Sequence, residues 1–130
     1  MEGVSPKDVD ILKALSDSKS LEIFCSIAKG NVGNEELNRG LSTKQYYFRM
    51  RQLLKAGLVQ RIKGLFSLTC LGAVVYHAQL VIETGVNNYW KLKAIDSIQA
   101  SGQIVEQERL KIIKTILDNN TVQNILISEK

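Results

Sequence analysis

Apolar residues recur at helical spacing along most of this chain and at strand spacing in one short stretch. In "SPKDVDILKAL", Val9, Leu12 and Leu15 share a helical face, with Ser5 at the N-cap, Pro6 at the first helical position and Asp8 three residues after the cap. A second helix is expected from "SDSKS" to Lys29, with Leu21, Phe24, Ile27 and Ala28 as its apolar stripe and Gly30 beyond its end. After the polar run "GNVGN", the residues "EELNR" predict a short third helix, with Glu35 and Glu36 near its positive N-terminal end. Gly40 and Leu41 then form a tight turn. Ser42 caps a fourth helix that runs to about Ala56 and stops at Gly57.

The period changes in "LVQRIKGLFSLT". Two runs of apolar β-formers flank Lys63-Gly64, and Gly64 can take a positive φ, so a short hairpin is expected with Arg61 and Lys63 at its tip. Thr69 caps a fifth helix whose inward positions are Leu71, Val74, Val75, Ala78, Val81 and Ile82. Beyond "ETGVNN", "NYWKLKAIDSIQAS" offers Tyr89, Trp90, Leu92, Ile95 and Ile98 at helical spacing. "QIVEQERLKIIKTILDN" offers Ile104, Val105, Leu110, Ile113, Ile116 and Leu117, and a short tail adds Val122, Ile125, Leu126 and Ile127.

The order of these elements is itself informative. Helix, helix, short helix, tight turn, helix, basic hairpin and helix describe a winged helix-turn-helix. The expected fold is mainly α with a small β-hairpin wing, followed by C-terminal helices. Residues 1–85 form the winged domain and residues 86–130 a helical extension.

Charge sharpens this picture. The net charge of +4 is modest, but no Asp or Glu occurs between Leu37 and Ile82, where Arg39, Lys44, Arg49, Arg51, Lys55, Arg61 and Lys63 all lie. The remainder of the chain holds 10 basic against 13 acidic residues. A basic block confined to one segment, mostly the fourth helix and the hairpin, is the footprint of a polyanion-binding surface, although a solvated helix face would give the same count.

At about 100° per residue, Tyr46, Met50, Leu53 and Leu54 gather on the inward side of the fourth helix. Lys44, Phe48, Arg51 and Lys55 lie opposite, with Gln45 and Gln52 beside them, Thr43 in the first turn, and Tyr47 and Arg49 on the borders. Lysine and arginine donate to guanine, glutamine reads adenine, and apolar or aromatic carbon meets the thymine methyl. Ser42 and the helix N-terminus suit a phosphate oxygen, and Arg61 and Lys63 suit the backbone or minor groove. The candidate DNA-binding residues are therefore Ser42, Thr43, Lys44, Gln45, Tyr47, Phe48, Arg49, Arg51, Lys55, Arg61 and Lys63. For Tyr47 packing and a phosphate contact both remain open. Phe48 is a large apolar side chain on a face that should be wet, and either DNA contact or packing against the short third helix would account for it.

The stretch "LSTKQYYFRMRQLLKAGLVQRIKGLFSLTCLGAVVY" resembles the ArsR-like winged-helix transcription regulators, especially archaeal ones. The resemblance rests on the Leu-Ser turn, the Tyr-Tyr helix, "L-x-K-A-G-L-V", the basic hairpin and "L-T-x-L-G", and it covers about residues 8–85. It implies sequence-selective binding of double-stranded DNA as a dimer on a near-palindromic site. The Cys-x-Cys motif of metal-sensing members is missing here. Cys25 and Cys70 read as buried thiols, and no metal or cofactor is expected from them or from His77.

Other classes find little support. One histidine, no Gly-rich phosphate loop and no Ser-His-Asp arrangement argue against an enzyme. No apolar run approaches the roughly 20 residues that span a bilayer, and "MEGVSPKDVD" lacks the design of a secretion signal, so a cytoplasmic, nucleoid-associated protein is expected. The C-terminal helices carry more apolar surface than the winged domain needs. They could form a homodimer interface, enclose a small-molecule pocket walled by Tyr89 and Trp90, or present an adaptor surface. The rival to a DNA-binding regulator is a winged-helix protein–protein adaptor in a transcription assembly.

Overall fold

The computed structural model describes residues 5–30 and 40–128 and divides into two compact units, residues 1–77 and 78–130. The division falls inside a helix, earlier than the expected boundary after residue 85. The short helix expected over "EELNR", together with Arg39, lies outside the described residues.

The first unit contains α1 (Asp8–Ala14), α2 (Ser18–Ala28), α3 (Thr43–Lys55), the antiparallel strands β1 (Val59–Ile62) and β2 (Leu65–Leu68), and the start of α4 (Cys70–Asn87). Its core is built by Ile23, Phe24 and Ile27 of α2, Tyr46, Met50 and Leu53 of α3, and Ala56, Leu58 and Val59 of the following turn and strand. Val75 and Tyr76 pack onto this cluster, and the Tyr76 ring meets Phe24 edge-on at 6.3 Å. Leu54, expected in the core stripe of α3, is exposed, as its position one residue past Leu53 dictates.

Helix α1 departs most from expectation. Its N-cap is Lys7 rather than Ser5, and the Lys7 N–H donates to the Asp10 carboxylate at 3.0 Å. Val9 and Leu12 are exposed, whereas Ile11, Ala14 and Leu15 pack on the core. In so short a helix the two candidate faces overlap at Leu15, so spacing alone could not select between them. Helix α2 begins after Asp17 and ends before Gly30, whose φ of +89° fits the expected helix stop.

The junction between α3, the hairpin and α4 is tightly specified. Ala56 is the C-cap of α3 and Gly57 follows with a φ of +83°. The Leu58 N–H donates to the Leu53 carbonyl and the Gly57 N–H to the Leu54 carbonyl, both at 3.1 Å. This pair of bonds is a Schellman motif, and the fully buried Leu53 and Leu58 occupy its two hydrophobic positions. The Thr69 hydroxyl donates to the Gly57 carbonyl at 2.6 Å and accepts the Gly72 N–H at 2.9 Å, so it caps α4 while tying it to the turn. Lys63 (φ +53°) and Gly64 (φ +81°) make the two-residue left-handed turn between strands paired Ile62↔Leu65 and Val59↔Leu68.

In α4, Val75 and Val81 are half-buried, but Leu71, Val74, Ala78 and Ile82 are exposed, contrary to expectation. The buried contact of this helix is instead Gly72, which packs against the turn. Cys70 is exposed rather than buried, and Cys25 packs at the edge of the core.

The second unit holds the rest of α4, then α5 (Tyr89–Ala100), α6 (Glu106–Ile116) and α7 (Asn120–Ser128). Ile95, Ile113, Leu117 and Val122 form its core, flanked by Leu92, Ile112, Ile116, Leu126 and Ile127. The expected short tail is thus a helix. Asn119 caps it by accepting the Val122 N–H at 3.0 Å, and Gln123 donates from its side-chain amide to the Leu117 carbonyl. Arg109 donates to the Leu126 carbonyl at 2.8 Å, satisfying an acceptor in the last turn of α7. Tyr89 and Trp90, the walls of the pocket in one of the three readings of this region, are exposed.

Two glycines of α4 give a direct test of the junction. A Cβ on Gly72 would lie 2.0 Å from the Leu58 carbonyl oxygen, whereas one on Gly85 would meet nothing within 4 Å. Gly72→Ala is expected to cost about 3 kcal/mol through overpacking against backbone. Gly85→Ala is expected to stabilise by up to about 1 kcal/mol through helix propensity. Denaturant unfolding of the two variants checks the contrast.

Candidate nucleic-acid interface

Helix α3 starts with a complete capping box. The Ser42 hydroxyl accepts the Gln45 N–H at 3.1 Å, and the Ser42 N–H donates to Gln45 Oε1 at 2.9 Å. Sequence order forces this arrangement, because a serine followed three residues later by glutamine can satisfy both orphan donors. The bonds also constrain two candidate residues. With Oε1 engaged, Gln45 presents its amide NH2 outward, so bidentate reading of adenine would require the box to open.

Thr43, Lys44, Tyr47 and Arg51 are exposed along one strip of α3, and none of them forms a hydrogen bond or ion pair with another described side chain. Tyr47 is half exposed, with its ring edge-on to Tyr46 at 5.3 Å. Burial, and secondarily the neighbouring Tyr47, pushes the Tyr46 hydroxyl above its ordinary pKa, consistent with a core residue. Phe48 is 52% exposed and borders that strip beside Lys44, and with Gln52 and Lys55 it lines a groove against α1.

Arg49 is differently placed from the other cations. Its Nε donates to Asp17 at 2.7 Å and its Nη1 to the Gln45 carbonyl at 3.3 Å, and the side chain is largely buried. Asp17 also accepts the Lys19 N–H and the Ser20 hydroxyl, both at 2.9 Å. One carboxylate therefore caps α2 and orients α3. Arg49 is spent within the protein more than it is presented to a partner. Desolvation pushes the Asp17 carboxyl upward, but the bonds from Arg49, Lys19 and Ser20 outweigh it and leave the group below its ordinary value of 3.8.

On the hairpin, Lys63 occupies the turn and is exposed. The Arg61 guanidinium lies 5.2 Å from the centroid of the Phe66 ring, its cross-strand partner, so it is steered by a cation–π contact. Ile62 and Leu65 form an exposed apolar pair beside the turn, which the sequence reading did not single out. Strand alternation carries the signal: both belong to the face opposite Val59 and Leu68.

Asp17 was also missed. Its place in "SDSKS" marks a helix start, but nothing local reveals a partner 32 positions away. In the second unit a groove of about 780 Å3 is lined by Leu92, Ile95, Ile104 and Leu126 with Arg109, whereas Tyr89 and Trp90 do not line it. Among the described residues no helix is long and apolar enough to cross a membrane, and no cluster of three potential metal ligands occurs. Set against protein families, characterised proteins and solved structures, the chain finds no match.

Asp17→Ala removes both the cap and the Arg49 tie and is expected to cost about 1–2 kcal/mol at neutral pH. Because the folded carboxyl is depressed, its contribution is full above the unfolded value and fades as pH falls below about 3.8. Unfolding free energies of wild type and variant should therefore converge in acid.

Proposed function

We propose that the chain is a sequence-selective, double-stranded DNA-binding transcriptional regulator of the ArsR-like winged-helix type. In this reading α3 enters the major groove, and the hairpin rests on the backbone or in the minor groove. One observation supports it above the others. The capped helix and the hairpin present Lys44, Arg51, Lys55, Arg61 and Lys63 to solvent, and no carboxylate lies anywhere between residues 42 and 68 to neutralise them. Thr43, Lys44, Tyr47 and Arg51 supply base-edge and phosphate contacts, and Ser42 with the exposed N-terminal turn of α3 faces a phosphate. Regulation at the nucleoid, in the cytoplasm, belongs to this proposal.

A homodimer through the C-terminal helices completes it. Ala78, Ile82 and Val86 recur every fourth residue along α4 and are all exposed, Val86 to 68%, and Trp90 near the start of α5 is exposed to 79%. A row of this kind calls for a partner, and a second copy would match two half-sites about one helical turn apart. The same row supports the alternative reading, a protein–protein adaptor in a transcription assembly. Selection of bound duplexes from a random pool separates the two, since an adaptor enriches no sequence.

Binding to the selected duplex is expected to fall steeply with salt through counterion release, and Lys63→Ala should lower the log–log salt slope by about 1 while weakening all sequences alike. Lys44→Ala should instead relax base preference at one position by about 1–3 kcal/mol. An affinity indifferent to salt would rule the reading out. For the dimer, Ile82→Glu with Val86→Glu should yield a folded monomer in sedimentation and cost most of the operator affinity. A wild-type chain that sediments as a monomer at micromolar concentration refutes that part.

A further inference from the structure

The first unit contains a groove of about 610 Å3 between α1 and α3 that DNA recognition does not explain. Its volume falls within the range of small-ligand sites. Small side chains, Ala14 and Ala56, leave room at its base, and the Phe48 ring with Pro6 supplies apolar wall. The charges around it are unequally committed. Asp17 is paired with Arg49 and bonded by Ser20, whereas Asp10 accepts only the Lys7 N–H and keeps its charge. Lys13 on α1 and Lys55 on α3 have no side-chain partner among the described residues, and with Arg49 these cations outnumber Asp10 and Asp17 three to two around the groove. A metal cation is disfavoured here, because the carboxylate best placed to hold it is already bound.

We propose that this groove is a binding site for a small aromatic anion, a ring-bearing carboxylate or phosphate whose charge pairs with Lys13 and Lys55 and whose ring lies against Phe48. The half-exposed phenylalanine on an otherwise polar helix face then has a role independent of base contact. A charged group between two ammonium ions gains charge-assisted hydrogen bonds, and the ring gains the apolar and stacking contact that an exposed Phe48 otherwise lacks.

The test uses 2-naphthoate as probe and the full chain without DNA, so it stands apart from the regulatory reading. Titration into 15N-labelled protein should give saturable amide shifts confined to residues around Lys13–Ser16 and Gln52–Ala56. Lys13→Gln with Lys55→Gln, both at exposed positions, should weaken binding at least about tenfold, the loss expected for one charge-assisted hydrogen bond. Phe48→Leu should weaken it less, and the neutral 2-naphthamide should not bind. Shifts equal for acid and amide, shifts unaffected by the lysine variants, or shifts centred in the second unit would each overturn the proposal. So would groove amides that respond to a DNA duplex but not to 2-naphthoate, which would make the groove a backbone-phosphate contact.

Discussion

The first unit depends on a single hydroxyl. Thr69 bridges the Gly57 carbonyl and the Gly72 N–H, and those two glycines are where α3 ends and α4 docks. The hairpin leaves this junction at Leu58 and returns to it at Thr69, whose N–H donates to the Leu58 carbonyl at 3.1 Å. Helix α3, the hairpin and α4 therefore share one fixed corner. Moving any of them requires breaking hydrogen bonds in a region where Leu53 and Leu58 are fully buried, so unpaired backbone groups would have no water to turn to.

This corner explains why part of the chain was easily read. "KAGLV" and "LTCLG" are local statements of geometry: Gly57 needs the left-handed region, Leu58 fills the Schellman pocket, and Gly72 clears a backbone oxygen. The Ser42 cap and the Lys63-Gly64 turn are equally local and were equally legible, whereas the return bond from Gln45 that completes the capping box was not read. Charge distribution, being additive along the chain, needed no structure at all.

What sequence left obscure depended on partners distant in the chain. The working face of α1 was ambiguous because a helix of seven residues makes too few turns to fix its phase. Val74, Ile82, Tyr89 and Trp90 are apolar at core-like spacing yet exposed, since periodicity finds a stripe but not what covers it. Arg49 counted as one more cation until Asp17 was placed against it. Phe48 could be put on a wet face by its phase, but only the position of α1 showed that the face borders a groove.

The Arg49–Asp17 tie has a further consequence. It sets the orientation of α3 with a side chain that is not on the strip bearing Thr43, Lys44, Tyr47 and Arg51. Thr43, Lys44 and Arg51 hold nothing else in place, so exchanging them for other helix-compatible side chains should leave stability within about 0.5 kcal/mol, whereas Tyr47 also packs on Tyr46. Scaffold and strip are thus free to evolve at different rates. Among duplicated copies of this chain, divergence would begin along that strip while the corner at Thr69 stood still.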